Sequence, residues 1–165
     1  MFGIDRLDNE KDLHVLYYNM GATDTEVSVV RYSALADAKN KTFEHVEILG
    51  EGYDQTLGGN QFDLVMFNIL ADKFNSLPER KGKPDVRTNQ RAVKRLMKEA
   101  TNVKEIISAN KSAIVKVPEL VDYVTLKFEL TRQEFEEKCT HIFERVHVPF
   151  DMALRKAKIN PEQID

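Results

Sequence analysis

Hydrophobic and polar positions alternate on both sides of a short polar segment near the start of the chain. Two runs rich in Val, Tyr and Leu, within residues 14–32, flank the turn-like segment 21–24, which reads Gly-Ala-Thr-Asp. Alternation with a period of two around such a turn predicts a β-hairpin whose tip is available for a ligand. A third β-branched and aromatic stretch, 41–53, is bounded by Gly50 and Gly52, and we expect it to complete a meander.

Apolar residues then recur at helical spacing in two long segments. The first runs from about residue 60 to residue 77, after the Gly58-Gly59 pair, and the second begins near Thr88 and runs to about residue 110. A period of 3.6 predicts amphipathic helices with one buried face. The positions expected to be buried are Phe62, Val65, Met66, Ile69, Leu70, Phe74 and Leu77 in the first helix and Val93, Leu96, Ala100, Val103 and Ile107 in the second.

The last third of the chain returns to alternation and then to helical spacing. Strands are predicted at 112–117 and 123–130. Thr131 and Glu134 form a capping-box pattern, which predicts a helix that continues to about residue 146. Pro149 begins a final helical segment. The element order is therefore βββααββαα, which defines an α/β (α+β) fold class.

The segment 78–87 divides the chain. It holds two prolines, a glycine and several basic residues, the composition of an exposed connection. We expect two packed subdomains, one formed by 1–78 plus 131–165 and the other by 79–130. The last helix has no following strand, which in this fold class suggests a fragment of a larger domain.

Composition and charge narrow the function classes. The chain is 42% hydrophobic and 31% charged with a net charge of −3, as in a soluble globular protein. A pI of about 5.9 argues against a dedicated nucleic-acid binder. The basic residues near the start of the second helix could contact nucleic acid or an acidic partner, although a solvated helix surface is the favoured interpretation. No apolar run reaches membrane-spanning length. The four histidines lack zinc-ligand spacing, and Cys139 is expected to be a buried small hydrophobe.

Two sets of residues could carry chemistry. Gly21 can adopt positive φ, so the hairpin tip could form a backbone nest for phosphate; an ordinary tight turn is the favoured alternative. Asn19, at the end of the preceding strand, could face a ligand or satisfy the turn. Thr101, Lys104 and Ser108 line one polar stripe of the second long helix. That stripe could grip a ligand, although a solvated face is the favoured interpretation.

With these residues in view, the chain resembles part of the actin-like ATPase domain of the 70-kDa heat-shock chaperones. Four stretches carry the resemblance: YYNMGATDTEVSVV, GEGYDQTLGGNQFD, RAVKRLMKEATNVKEIISAN and TRQEFEE. YYNMG, ERKGKPDVRTNQRA and KEIISAN are more similar to the large endoplasmic-reticulum branch, the hypoxia-upregulated, glucose-regulated chaperones. A sugar or acyl kinase of the same superfold would share the hairpin but not TRQEFEE.

The resemblance implies the second lobe of a nucleotide-binding domain, with an actin-like and ribonuclease H-like fold. It implies that Gly21, Ala22 and Thr23 supply backbone to the β- and γ-phosphates of ATP or ADP, with Mg²⁺ in the intact domain, and that Lys104 and Ser108 face the adenosine. It further implies a chaperone of the endoplasmic-reticulum lumen that binds unfolded polypeptide clients and acts with a partner chaperone. No nucleic-acid or membrane partner is expected, and the fragment is expected to be monomeric.

Several positions depart from the family pattern. Asn19 replaces an aspartate that is oriented toward the magnesium-water shell, Thr23 a glycine, Asp24 a hydroxyl residue, Thr101 a glutamate and Glu105 an arginine that stacks on adenine. No catalytic residue is therefore assigned, and ATP hydrolysis by the intact protein is left open. The isolated fragment is predicted to be inactive, because only one side of the cleft is present. The alternative is a non-hydrolysing docking or nucleotide-exchange module for a partner chaperone.

Overall fold

A computed structural model describes residues 12–36 and 42–165. Their element order is βββααββααα, followed by a short 3-10 turn, and the mixed α/β class predicted from the sequence is confirmed. The strands are β1 (Leu13–Met20), β2 (Thr25–Ala36), β3 (Thr42–Asp54), β4 (Ser112–Val121) and β5 (Val124–Thr131); the helices are α1 (Gly59–Asn75), α2 (Gln90–Ala109), α3 (Arg132–Lys138), α4 (Thr140–Phe143) and α5 (Val148–Ala157). None of the helices in these two described ranges is long and apolar enough to cross a membrane.

The chain forms two compact units. One consists of the residues up to Gly58 together with Arg145–Asp165, and the other of Gly59–Glu144. The sequence prediction, 1–78 plus 131–165 against 79–130, has the same discontinuous plan but groups α1 and α3 with the meander. In the structure α1 packs against α2 and α3, so all three helices belong to the continuous unit.

In the first unit, β1, β2 and β3 form an antiparallel sheet with β2 in the centre. Val27 lies opposite Gly52 and Val29 opposite Gly50 in the β2–β3 register. Helix α5 packs on this face, where Val27 and Val29 form a buried core with Ala153 and Leu154 of the helix. The core of this unit is therefore built from two distant segments of the chain.

Two glycines allow α5 to lie directly on β3. A Cβ at Gly52 would come within 1.9 Å of Pro149 O, and one at Gly50 within 2.3 Å of Ala153 O. The sequence interpretation placed both glycines at the boundary of the third strand, whereas β3 continues through them to Asp54. They are required by the packing of a helix that lies far away in sequence, and not by a turn.

In the second unit, helices α1 and α2 pack together and the β4–β5 hairpin packs against α2. The predicted apolar faces of both helices are largely confirmed, with Met66, Ile69, Leu70 and Phe74 buried on α1 and Leu96, Ala100, Val103 and Ile107 buried on α2. The hairpin adds Val115, Leu126 and Leu130 to the buried apolar residues. Helix α2 begins with Asn89 as its N-cap, one residue after the predicted cap, because the Asn89 side chain accepts a hydrogen bond from Ala92 N.

The helix predicted from Thr131 starts as expected but is interrupted. Thr131 Oγ1 accepts a hydrogen bond from Glu134 N at 3.2 Å, which confirms the N-cap half of the predicted capping box. The Glu134 carboxylate pairs with Lys73 Nζ at 3.0 Å. A single helix to residue 146 is wrong, since α3 and α4 are separate. Thr140 Oγ1 donates to Glu137 O at 2.9 Å at the break, and such back-bonding competes with helical hydrogen bonds.

Candidate functional site

The hairpin tip is a four-residue connection between β1 and β2. Met20 and Thr25 form the last strand pair, and Gly21 N donates to Asp24 O at 2.8 Å to close the turn. Gly21 does not adopt positive φ; of the glycines in the described ranges, Gly82 alone does, at 74°. The positive-φ nest considered for Gly21 is therefore not formed, because the Gly21 N–H closes an ordinary hydrogen-bonded turn.

Two backbone donors at the tip remain without a partner within the described part of the chain. The N–H groups of Ala22 and Thr23 make no hydrogen bond there, and both residues are exposed. Backbone N–H groups are strong donors to anionic oxygens. The tip thus offers Ala22 and Thr23 as donors, while the Gly21 N–H is used to hold the turn.

The polar side chains around the tip bring negative charge close to these donors. Asp24 is half-buried and accepts a hydrogen bond from Thr23 Oγ1 at 3.1 Å. Asn19 is exposed at the end of β1 and lies opposite Glu26 in the sheet register. Carboxylates repel phosphate oxygens unless a cation lies between them. The donor set therefore fits a phosphate group accompanied by Mg²⁺, and fits a bare phosphate less well.

The turn after β3, formed by residues 54–58, packs against the backbone of the hairpin tip. A Cβ at Gly58 would lie 2.6 Å from the backbone of both Ala22 and Thr23, so only glycine permits this approach. Thr25 Oγ1, which is buried, donates to Leu57 O at 2.7 Å. Sequence reasoning placed Gly58 in a family motif and before a predicted helix, but the pattern does not show which segment approaches it.

An ion pair holds that turn in place. The Asp54 carboxylate accepts hydrogen bonds from Arg145 Nε at 3.2 Å and from Nη2 at 2.6 Å, and also from the Thr56 backbone and hydroxyl at 2.9 and 3.0 Å. The Arg145 guanidinium holds the pKa of Asp54 below its ordinary value, with the Thr56 hydrogen bonds acting in the same direction. Sequence reasoning missed this pair because its members lie 91 residues apart.

The second unit contains the other two predicted ligand residues. Lys104 Nζ on α2 pairs with Asp63 Oδ1 on α1 at 2.7 Å, with 29% and 16% of the side chains exposed. Ser108, one turn further along, is exposed and donates from Oγ to Glu105 O at 2.6 Å. Thr101 is exposed on the preceding turn. The predicted polar stripe thus exists, and Asp63 fixes the position of the Lys104 ammonium group.

The predicted site residues therefore fall into two groups. Gly21, Ala22 and Thr23 lie together at the hairpin tip of the first unit, and Lys104 and Ser108 lie on successive turns of α2 in the second. Among the described residues, no group of three or more His, Cys, Asp or Glu side chains could hold a metal ion. Cys139 is buried as expected, and burial raises the pKa of its thiol to about 11.

Comparison with known proteins gives a consistent assignment. The family model described as Hsp70 protein matches residues 1–165. Hypoxia up-regulated protein 1 from Xenopus laevis is 40% identical over 152 residues, or 92% of this chain and 23% of that protein. The Homo sapiens protein of the same name is 36% identical over 154 residues, or 92% and 15%. The chain thus spans less than a quarter of the length of these curated relatives. On this evidence, and in agreement with the resemblance seen in its motifs, the chain belongs to the Hsp70 family.

Proposed function

We propose that the chain is the second lobe of the nucleotide-binding domain of an Hsp70-family chaperone and that it binds ATP or ADP when joined to the first lobe. The observation that carries this proposal is the hairpin tip, where the backbone N–H groups of Ala22 and Thr23 have no partner among the described residues and Gly58 packs against their backbone. The match of the whole chain to the Hsp70 family supports it. The proposal concerns the intact domain, because the lobe supplies residues from one side of a cleft.

Each proposed ligand residue has a distinct role. Ala22 and Thr23 donate backbone N–H groups to the β- and γ-phosphates, and Gly21 shapes the turn that presents them. Lys104 and Ser108 contact the adenosine, with Lys104 held in position by its ion pair with Asp63. Mg²⁺ would supply the positive charge that offsets the carboxylate at the tip.

The full-length protein, by this proposal, assists the folding of unfolded polypeptides in the endoplasmic-reticulum lumen together with a partner chaperone. The motifs of the large endoplasmic-reticulum branch support the location, and the name of the relatives, hypoxia up-regulated protein 1, supports a role under stress. A membrane partner and a nucleic-acid partner are not proposed.

A second candidate function is a docking module that accelerates nucleotide exchange on the partner chaperone without hydrolysing ATP. Two residues at the tip favour it. Asn19 carries a neutral amide where the family pattern has a carboxylate, and Asp24 places a carboxylate beside the phosphate donors. The first change removes a group that orients the metal-bound water, and the second weakens phosphate binding.

Calorimetric titration of ATP against the full-length protein and the 165-residue chain tests the proposed site. We expect binding by the full-length protein, weaker binding in a Lys104→Met variant, and no change in Lys98→Met, a matched control because Lys98 is an exposed lysine on the same helix. Failure of the full-length protein to bind ATP would refute the nucleotide site.

Turnover measurements then separate the two functions. Steady ATP hydrolysis by the full-length protein that is lost in Lys104→Met supports the enzyme. Nucleotide release from a partner chaperone that is accelerated by ATP, without turnover, supports the docking module. The isolated chain is expected to show no ATPase activity in either case, and detectable turnover by the purified chain would contradict this expectation.

A further inference from the structure

The ion pair between Arg145 and Asp54 lies at the turn that contacts the hairpin tip. We propose that Arg145 is a positioning residue for nucleotide phosphate: it holds the turn formed by residues 54–58, and that turn holds the backbone of Ala22 and Thr23 in the conformation that presents their N–H groups. The inference rests on the proposed nucleotide site, and it assigns a role to Arg145, which none of the sequence motifs or proposed ligand contacts includes.

The first step is the grip of Arg145 on the turn. Its Nη2 group contacts Asp54 Oδ2 and Thr56 Oγ1, each at 2.6 Å, and its Nε group contacts the same Asp54 oxygen at 3.2 Å. The second Asp54 oxygen is occupied by the Thr56 backbone and hydroxyl. One guanidinium thus joins the two residues that begin the turn, and the Asp54 side chain is only 18% exposed, which limits solvent screening.

The second step is the contact between the turn and the tip. Leu57 is fully buried, and its carbonyl accepts the hydrogen bond of the buried Thr25 hydroxyl. Gly58 follows and touches the backbone of Ala22 and Thr23 so closely that a Cβ has no space. Because the two segments are in direct backbone contact, a displacement of the turn displaces the tip or opens a gap behind it.

The third step is the attachment of Arg145 itself. The next residue, Val146, accepts a hydrogen bond through its carbonyl from Tyr18 OH at 2.8 Å. Tyr18 lies opposite Val27, two residue pairs from the hairpin tip. The hairpin tip therefore contacts the turn, the turn contacts Arg145, and the residue after Arg145 contacts β1 of the same hairpin. Because Arg145 Nε and Nη2 donate to Asp54 and Thr56 of the turn, Arg145 acts on the N–H groups of Ala22 and Thr23 through the turn.

The test compares Arg145→Gln with Arg155→Gln in the full-length protein. Arg155 is a matched control because it is exposed on α5 of the same unit, where its side chain makes one hydrogen bond within the described part of the chain, to Asp151 O of its own helix. We expect Arg145→Gln to weaken ATP binding by about tenfold and to leave adenosine binding unchanged. Arg155→Gln should bind both ligands as the wild type does. Arg145→Lys, which keeps the positive charge but lacks the paired donor nitrogens of the guanidinium group, should show a smaller loss of ATP affinity.

A second measurement needs no ligand and separates this inference from the proposed function. Hydrogen exchange of the Gly21 amide, which closes the tip turn without touching Arg145, should be faster in Arg145→Gln than in the wild type or in Arg155→Gln. Unchanged exchange at Gly21, or an equal loss of ATP and adenosine binding, would overturn the positioning role. If Arg145→Gln does not fold, Arg145→Lys decides by the same two criteria. Absence of ATP binding in the wild type would refute the nucleotide site itself, whatever the exchange result.

Discussion

Substitution of Gly52 by alanine is expected to destabilise the first unit strongly. The new Cβ would lie 1.9 Å from Pro149 O and 3.0 Å from Ala153 N, whereas ordinary contacts start at 3.4 Å. Helix α5 would therefore have to move away from β3 by about 1.5 Å, since the obstacle is helix backbone and not a side chain that can rotate. This movement separates Ala153 and Leu154 from the valines of β2, with which they form the buried core.

The expected cost is about 2–4 kcal/mol. Overpacking of a core costs roughly 1–3 kcal/mol when side chains can adjust, and more when backbone must move. The lower entropy of the unfolded alanine variant offsets about 0.4–1 kcal/mol of this. Gly21→Ala is the matched control, because its Cβ would meet the flexible Asp24 side chain at 3.3 Å and the Asp24 backbone oxygen at an ordinary 3.5 Å, and Gly21 has no positive φ. It should change stability by less than about 0.5 kcal/mol.

Native-state hydrogen exchange in the full-length protein can measure both variants. The amides of Val27 and Val29 in the central strand report the opening free energy of the sheet. In Gly52→Ala these amides should exchange about 30- to 1,000-fold faster than in the wild type, as the expected cost implies. Exchange within threefold of the wild-type rate in Gly52→Ala, or an equal acceleration in Gly21→Ala, would refute the argument that α5 needs a side-chain-free strand surface.

Four further predictions follow from other contacts. Asp63→Asn should weaken ADP binding to the full-length protein by about 3- to 10-fold in a calorimetric titration, because Lys104 loses its ion pair. The pKa of Asp54 is lowered in the folded state, so its ion pair contributes fully to the free energy of unfolding above the ordinary carboxyl pKa of 3.8, and this contribution is lost as the pH falls through the lower folded-state pKa. The free energy of unfolding of Asp54→Asn should therefore fall less steeply than that of the wild type below pH 3.8. Cys139 should react with iodoacetamide at pH 8 at least about 100-fold more slowly in the folded than in the unfolded chain, since burial raises its pKa to about 11 and also keeps the reagent from the thiol. The proposed lumenal location predicts an N-linked glycan at the exposed Asn110, which forms an Asn-X-Ser acceptor sequence with Lys111 and Ser112; the glycan would be detected as a mass shift on enzymatic release.

The parts of the fold that depend on local pattern were predictable. Alternation on both sides of residues 21–24 gave the β1–β2 hairpin, and the helical period gave α1 and α2 with most of their buried positions. The cap at Thr131 also followed from four consecutive residues. These features depend on neighbours within one turn or one strand pair, so a window of the sequence contains their causes.

The features that depend on distant neighbours were not predictable. The sequence pattern places Gly52 at a strand boundary, whereas the structure shows that α5 covers it. The same pattern places Gly58 at the start of a helix, whereas the structure shows that it contacts the hairpin tip. No sequence motif indicates the role of Arg145, because its partner Asp54 lies 91 residues away. The nest considered for Gly21 failed for a local reason, since its N–H closes the turn with Asp24 O. Family resemblance predicted which residues would contact a ligand, but not which contacts hold those residues in place.

The discontinuous first unit has a consequence for synthesis of the protein on the ribosome. Strand β3 ends at Asp54 and α5 begins at Val148, so about 90 residues are added between them, which takes roughly 5 to 18 s at usual elongation rates. During that interval Val27 and Val29 have no helix to cover them. The second unit is continuous in sequence and can complete its core first. The nascent meander is therefore the segment of this chain that most needs protection from aggregation before residue 148 is made.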